Sequence, residues 1–175
     1  MIELFYFWND ITYPVNIGIK TSHYITELVE GGFYENELRN KYHGVKWIGN
    51  GKTIILFENE VTIIAYPSLD MNYVVVVYNS NSKQYPAPNN CVVYNIDGTV
   101  HKIISTPVLK TPDENGNFIK GHHFDTVGWA KNKQNKTVLF LRVDEREWDW
   151  VPWYEDIEFN PETGEFGDLI WRATH

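Results

Sequence analysis

Cys91-Val92-Val93-Tyr94-Asn95-Ile96-Asp97-Gly98-Thr99-Val100-His101-Lys102-Ile103-Ile104 is the stretch from which the fold is read. Two β-branched runs flank Asp97-Gly98, a dipeptide that signals a tight hairpin because both residues tolerate a positive φ. A two-residue turn there pairs Ile96 with Thr99, Tyr94 with His101 and Cys91 with Ile104. Strand alternation then places Cys91 with Val93 and Asn95, and His101 on the opposite face, which argues against a Cys–His nucleophilic dyad. Just upstream, Tyr73–Tyr78 is β-branched and uninterrupted, the composition of a central strand.

Working outward, the period of two continues. Val45–Ile48 and Thr53–Phe57 flank Gly49-Asn50-Gly51, a second hairpin signal. Val61–Tyr66 follows the short Glu58-Asn59-Glu60 link. Thr126–Ala130 and Thr137–Val143 flank the polar turn Lys131–Lys136. Asn160-Pro161-Glu162-Thr163-Gly164 separates Ile157–Phe159 from a last strand near Leu169–Arg172. Before residue 44 the pattern differs. Residues 2–8 read as a strand, and Val15–Ile19, behind Tyr13-Pro14, as a short edge piece. Ser22 then resembles a helix N-cap, with Ile25, Leu28 and Val29 at helical spacing and Gly31-Gly32 as the stop. Tyr34, Leu38 and Tyr42 form the stripe of a second helix that Gly44 closes. The expected architecture is one α+β domain over residues 1–175. Its helical part covers about 22–43 and its β part about 45–175, as one large twisted antiparallel sheet. A β-sandwich is the alternative.

The chain has 175 residues, enough for a single core, and is 43% hydrophobic. Its formal charge is −8, which argues against a nucleic-acid binder, since phosphate recognition needs a cationic face. A single cysteine excludes an internal disulfide framework. The longest apolar run, Tyr73–Tyr78, is far short of the roughly twenty residues that a membrane helix requires. The first eight residues lack a basic leader, so a cytoplasmic location is expected.

Catalytic signatures fail on inspection. Gly51-Lys52-Thr53 lacks the upstream glycine of a phosphate loop, since position 46 is Lys46, and its surroundings read as a hairpin. Asn95-Ile96-Asp97-Gly98 lacks the first and last ligands of a calcium loop. His122-His123-Phe124-Asp125 is the one ligand-like cluster. His123 and Asp125 would share a strand face, but a metal needs a third ligand such as His101 or His43, and a polar loop explains the same residues. No cofactor is implied and no enzyme is expected.

Charge is concentrated at the C-terminus. Residues 144–175 hold ten acids against Arg146 and Arg172, and carry Trp148, Trp150, Trp153 and Trp171, four of the seven tryptophans. If the strand from Thr137 continued through Trp150, one face would read Leu139, Leu141, Val143, Glu145, Glu147, Asp149. The other would read Phe140, Arg142, Asp144, Arg146, Trp148, Trp150. Three carboxylates about 7 Å apart are most easily tolerated exposed, next to a basic partner. Aromatics beside arginines are the residue types of binding hot spots. Asp144-Glu145-Arg146-Glu147-Trp148-Asp149-Trp150-Val151-Pro152-Trp153-Tyr154-Glu155-Asp156 resembles, in type, the acidic segments of small immunity proteins from bacterial toxin systems such as contact-dependent growth inhibition. That resemblance implies a protein that binds a cognate basic nuclease toxin and occludes its cleft. Glu145, Glu147, Trp148, Asp149, Trp150, Trp153, Glu155 and Asp156 are the expected contact residues. The alternative is a carbohydrate-binding or carbohydrate-cleaving β protein that stacks sugars on the C-terminal tryptophans.

Overall fold

The computed structural model describes residues 2–8, 11–14, 17–18, 44–113, 115–145 and 153–173, with backbone alone at 7, 8 and 11–14. Every regular element among the described residues is a strand. In chain order they are β1 (Glu3–Trp8), β2 (Ile11–Pro14), β3 (Gly44–Gly49), β4 (Lys52–Phe57), β5 (Ile63–Pro67), β6 (Tyr73–Tyr78), β7 (Cys91–Asn95), β8 (Val100–Ile104), β9 (His123–Lys131), β10 (Thr137–Asp144), β11 (Tyr154–Asn160) and β12 (Glu165–Ala173). They form three four-stranded antiparallel sheets, ordered β2-β1-β3-β4, β5-β6-β7-β8 and β12-β11-β10-β9.

This corrects the α+β expectation. The described residues are all-β, and one large sheet is replaced by three small ones. The two expected helices, within 22–43, lie outside the described residues. The strands after residue 44 fall where alternation placed them. The break into separate sheets had no local signal, because it depends on which strand edges find partners. Among the described residues no helix is long and apolar enough to cross a membrane.

The β5–β8 sheet is the middle layer. Val74 to Tyr78 and Cys91 to Tyr94 are all essentially inaccessible, so both faces of its central strands are covered, as uninterrupted β-branched runs require. On one face Tyr94 meets Trp47 of β3, ring centroids 5.9 Å apart. On the other, Ile104 and Lys102 lie under the β11–β12 turn at Gly164. A side chain at Gly49 would come within 2.3 Å of Ile96, so glycine there permits the first sheet to close on the 96–98 turn.

Polar tips of buried side chains join the layers. The Tyr6 hydroxyl donates to the Ala65 carbonyl at 2.9 Å and accepts from its N–H at 3.0 Å, occupying the free edge of β5. Trp47 Nε1 donates to Ile96 O, and Trp129 Nε1 to Pro67 O, each at 2.9 Å. The Tyr66 hydroxyl both donates to and accepts from the Gly18 backbone at 2.6 Å. Asn90 is fully buried. Its Nδ2 donates to Tyr78 O and Phe124 O, and its Oδ1 accepts from Phe124 N. One carboxamide thus splices the middle sheet to β9.

The 91–104 hairpin keeps its expected register at the base and changes it at the tip. Cys91 faces Ile104 and Val93 faces Lys102, but Tyr94 faces Val100 rather than His101. The loop has three residues, closed by Gly98 N to Asn95 O and Asn95 N to Thr99 O, with Gly98 at φ 88°. His101 is the extra, bulged residue that restores the register.

Asn90→Leu keeps the volume and removes all three bonds, leaving Phe124 N–H and two carbonyls buried without partners. The expected loss is about 3 kcal/mol or more, read as a lower urea midpoint with an unchanged slope; an unchanged midpoint would show that Asn90 does not hold the layers.

Candidate functional site

Alternation along β10 decides the fate of the acidic segment. Leu139, Leu141 and Val143 point into the core, and Glu145 follows them and is buried. On β11 the inward set is Glu155, Ile157 and Phe159, so a carboxylate lands where an apolar residue would be expected. The connection from Lys110 to Thr111 makes this tolerable. Glu155 accepts from Lys110 N at 2.7 Å, from Thr111 N at 3.0 Å and from the Thr111 hydroxyl. Glu155 therefore serves as an internal clamp on the 105–122 arm and has no accessible surface to offer a partner.

Asp156 lies on the other face, directly opposite Arg142 in the strand register. Both its oxygens take guanidinium donors, Oδ1 from Nε at 2.8 Å and Oδ2 from Nη2 at 2.9 Å. The guanidinium also lies 3.8 Å from the centre of the Tyr154 ring. Burial discourages the charge on Arg142, but Asp156 outweighs it and holds the group protonated more firmly than usual. The expectation that Glu155 and Asp156 form part of an exposed docking surface is thus corrected: both are buried and their charge is answered within the chain.

The strand expected to run through Trp150 ends at Asp144. Glu145 N donates to Trp153 O at 2.9 Å, one step beyond the Asp144–Tyr154 pair of β10 and β11. Glu147, Trp148, Asp149 and Trp150 lie outside the described residues. Trp153 is half-buried, with the Arg172 guanidinium 5.3 Å from its ring centre. Trp171 is 40% exposed.

His123 and Asp125 both act electrostatically on Asp144. Asp125 is the bulged residue at the β9–β10 register shift. His123 Nε2 lies 3.2 Å from Asp144 Oδ2, and its Nδ1 lies 3.1 Å from His122 Nδ1. Burial pushes the Asp144 carboxyl above the usual range, the nearby Asp125 charge reinforcing this and His123 opposing it. His101 is elsewhere, against the Tyr73 ring and the Glu162 carbonyl. His43 lies outside the described residues. Among the described residues no three His, Cys, Asp or Glu side chains are placed to hold a metal ion. Cys91 is fully buried, and that burial pushes its thiol far up, away from nucleophilic use.

A cleft of about 440 Å³ opens at the opposite end of the third sheet. Its walls are the β5–β6 connection, the start of β10 and the β11–β12 hairpin. Asp70, Glu158, Glu162 and Glu165 line it beside Leu69, Val138, Phe159 and Phe166. The β5–β6 connection is tightly held. Asp70 Oδ1 accepts from the Ser68 hydroxyl and Asn72 N, and Oδ2 from Asn72 Nδ2. Met71 takes φ 60°, which costs a non-glycine residue about 1 kcal/mol. Partial desolvation opposes ionisation of Asp70, but the Ser68 and Asn72 donors together outweigh it and hold its carboxyl below the usual range. Glu158 is fixed by Asn132 Nδ2 at 2.9 Å. Sequence reasoning found the turn at 160–164 but not the cleft, since Asp70 is distant in the chain and carries no motif.

Comparison of the chain with protein-family models, curated proteins and solved structures returns no match.

Glu155→Leu should cost about 3 kcal/mol, because it strands two backbone N–H groups and a hydroxyl; full stability in thermal or urea melts would show that the clamp is dispensable. Asp70 has a folded value below its unfolded one. Its stabilising contribution is therefore complete above the unfolded Asp value of about 3.9 and is lost as pH falls through the folded value. Asp70→Asn should flatten the acid limb of the stability–pH curve, and an unchanged limb would contradict the assignment.

Proposed function

We propose that the chain is a cytoplasmic immunity protein, a non-catalytic inhibitor that binds a cognate basic toxin of the nuclease class and covers its active-site cleft. The observation that carries this reading is the distribution of surface charge. Once Glu155 and Asp156 are assigned to the interior, Asp70, Glu158, Glu162 and Glu165 remain around a cleft that Leu69, Val138, Phe159 and Phe166 also line, in a chain of net charge −8. That combination suits the side chains a basic protein presents. Lysine and arginine stems lie on apolar surface while their heads meet carboxylates. Like-signed charge around a concave site also accelerates encounter with an oppositely charged partner.

The cleft acids were not among the expected contact residues, and the cleft lies at the end of the third sheet away from Glu145 and Trp153. β10 has eight residues, so its cleft end and its Asp144 end are about 23 Å apart at the usual strand rise. We assign the toxin contact to the cleft end.

The test is co-expression with the product of the adjacent reading frame. The chain should rescue growth and co-purify as a complex whose association rate falls steeply with salt. Glu162→Lys with Glu165→Lys, both exposed, should slow association at least tenfold and flatten the salt dependence. If reversing Glu147 and Asp149 has that effect instead, the contact lies in the 146–152 segment. Neither rescue nor complex, or glycan binding by the chain alone, would overturn the inhibitor reading.

A further inference from the structure

The 105–122 arm carries a face that opposes the overall charge of the chain. The arm is a short two-stranded ladder, pinned by the Val108–Lys120 bridge and by Leu109 N donating to Ile119 O at 2.9 Å. Alternation divides it into two faces. Leu109 is buried and Ile119 packs against the core. The outward face is therefore Val108, Lys110, Phe118 and Lys120, with each lysine opposite an apolar residue across the ladder. All four are exposed, Val108 at 55% and Phe118 at 63%.

The root of the arm is fixed, so this face is held at a set place. Glu155 takes the Lys110 and Thr111 N–H groups, the Thr106 hydroxyl donates to Gly121 O at 2.6 Å, and Gly121 N donates to Pro107 O. At the tip, Asp113 Oδ1 is turned onto its own loop and accepts from Asn115 N and Asn117 N. Among the described residues neither lysine is ion-paired; Lys120 Nζ donates to the neutral Ser105 hydroxyl at 3.0 Å. Lysines beside apolar side chains repel a basic partner and suit an acidic one that also offers apolar surface. The cleft of this same chain has that chemistry, with Asp70, Glu158, Glu162 and Glu165 beside Leu69, Val138, Phe159 and Phe166. A chain does not serve its own cleft. Glu155, which holds the arm, pairs with Val143, and the cleft begins at Val138, about 17 Å away along β10 at the usual strand rise.

We propose that the outward face of the arm docks in the acidic cleft of a second copy of the chain. Val108 and Phe118 meet the apolar lining, and Lys110 and Lys120 lay their stems along it with their ammonium heads toward Glu162 and Glu165. A volume of about 440 Å³ suits a few side chains presented on a hairpin. The contact joins two different surfaces and is heterologous, so each pair of copies still offers one arm and one cleft, and assembly proceeds until a ring closes. Docking also fills the cleft assigned above to the toxin, so the toxin has to displace an arm. That last consequence rests on the inhibitor reading; the docking of copy on copy does not.

Sedimentation of the full chain at low salt should show a mass that rises with concentration from 20.5 kDa and falls back as added salt screens the contact. Lys110→Glu with Lys120→Glu should be monomeric, and so should Glu162→Lys with Glu165→Lys, each retaining the wild-type circular dichroism. Both pairs reversed in one chain should restore the assembly, because opposite charges then meet again. The arm reversal alone leaves the cleft intact and should keep the rescue of growth, so self-association and inhibition are read separately. A wild-type chain that stays monomeric at every concentration overturns the proposal, whether or not the arm takes some other acidic partner. So does an assembly that survives either reversal, or a doubly reversed chain that stays monomeric. Loss of rescue in the arm variant would place the arm in the toxin contact and overturn the proposal as well.

Discussion

Three small sheets become one core because the polar ends of buried side chains satisfy backbone groups that the sheets leave open. β5 shows the constraint most clearly. It is an edge strand that packs inside the molecule, so its outward N–H and C=O groups would be costly without partners. The Tyr6 hydroxyl serves both groups of Ala65, and Trp129 takes the Pro67 carbonyl. Trp47 does the same for Ile96 in the adjoining turn, and Asn90 bridges to Phe124. The chain's high aromatic content, 15%, is in this light a means of joining layers. Tyrosine and tryptophan bring apolar area and a hydrogen-bonding tip to the same junction.

The same demand sorts the acids. A buried carboxylate needs its oxygens answered, and Glu155 finds two backbone N–H groups and a hydroxyl on one connection, while Asp156 finds a bidentate guanidinium. These carboxylates hold the third sheet and its overlying arm in place. Other carboxylates stay near the surface, and the fold gathers Asp70, Glu158, Glu162 and Glu165 around one cleft. Charge that reads in the sequence as a single C-terminal patch is therefore divided between structural and superficial uses by the period of the strands that bear it.

The edges of the sheets show a further division of labour. Bulges, a terminal proline and a capping hydroxyl guard four of them.

The sequence by itself determined the strand-bearing regions after residue 44, the hairpin turns at Asn50-Gly51 and Asp97-Gly98, the doubly buried character of Tyr73–Tyr78, and the inertness of Cys91. Each of these follows from local chemistry, namely φ preference, alternation and side-chain branching. Glu155 was also within reach, since it stands two residues from Ile157 and four from Phe159 on the inward face. Tertiary structure alone decided the split into three sheets, the bulge at His101, the internal pairing of Asp156 with Arg142, and the cleft that brings Asp70 to Glu162. The bulge and the Arg142–Asp156 pair depend on the exact register of two hairpins, while the split into sheets and the cleft depend on edges and side chains that meet across long separations, and no local pattern encodes a partner some ninety residues away.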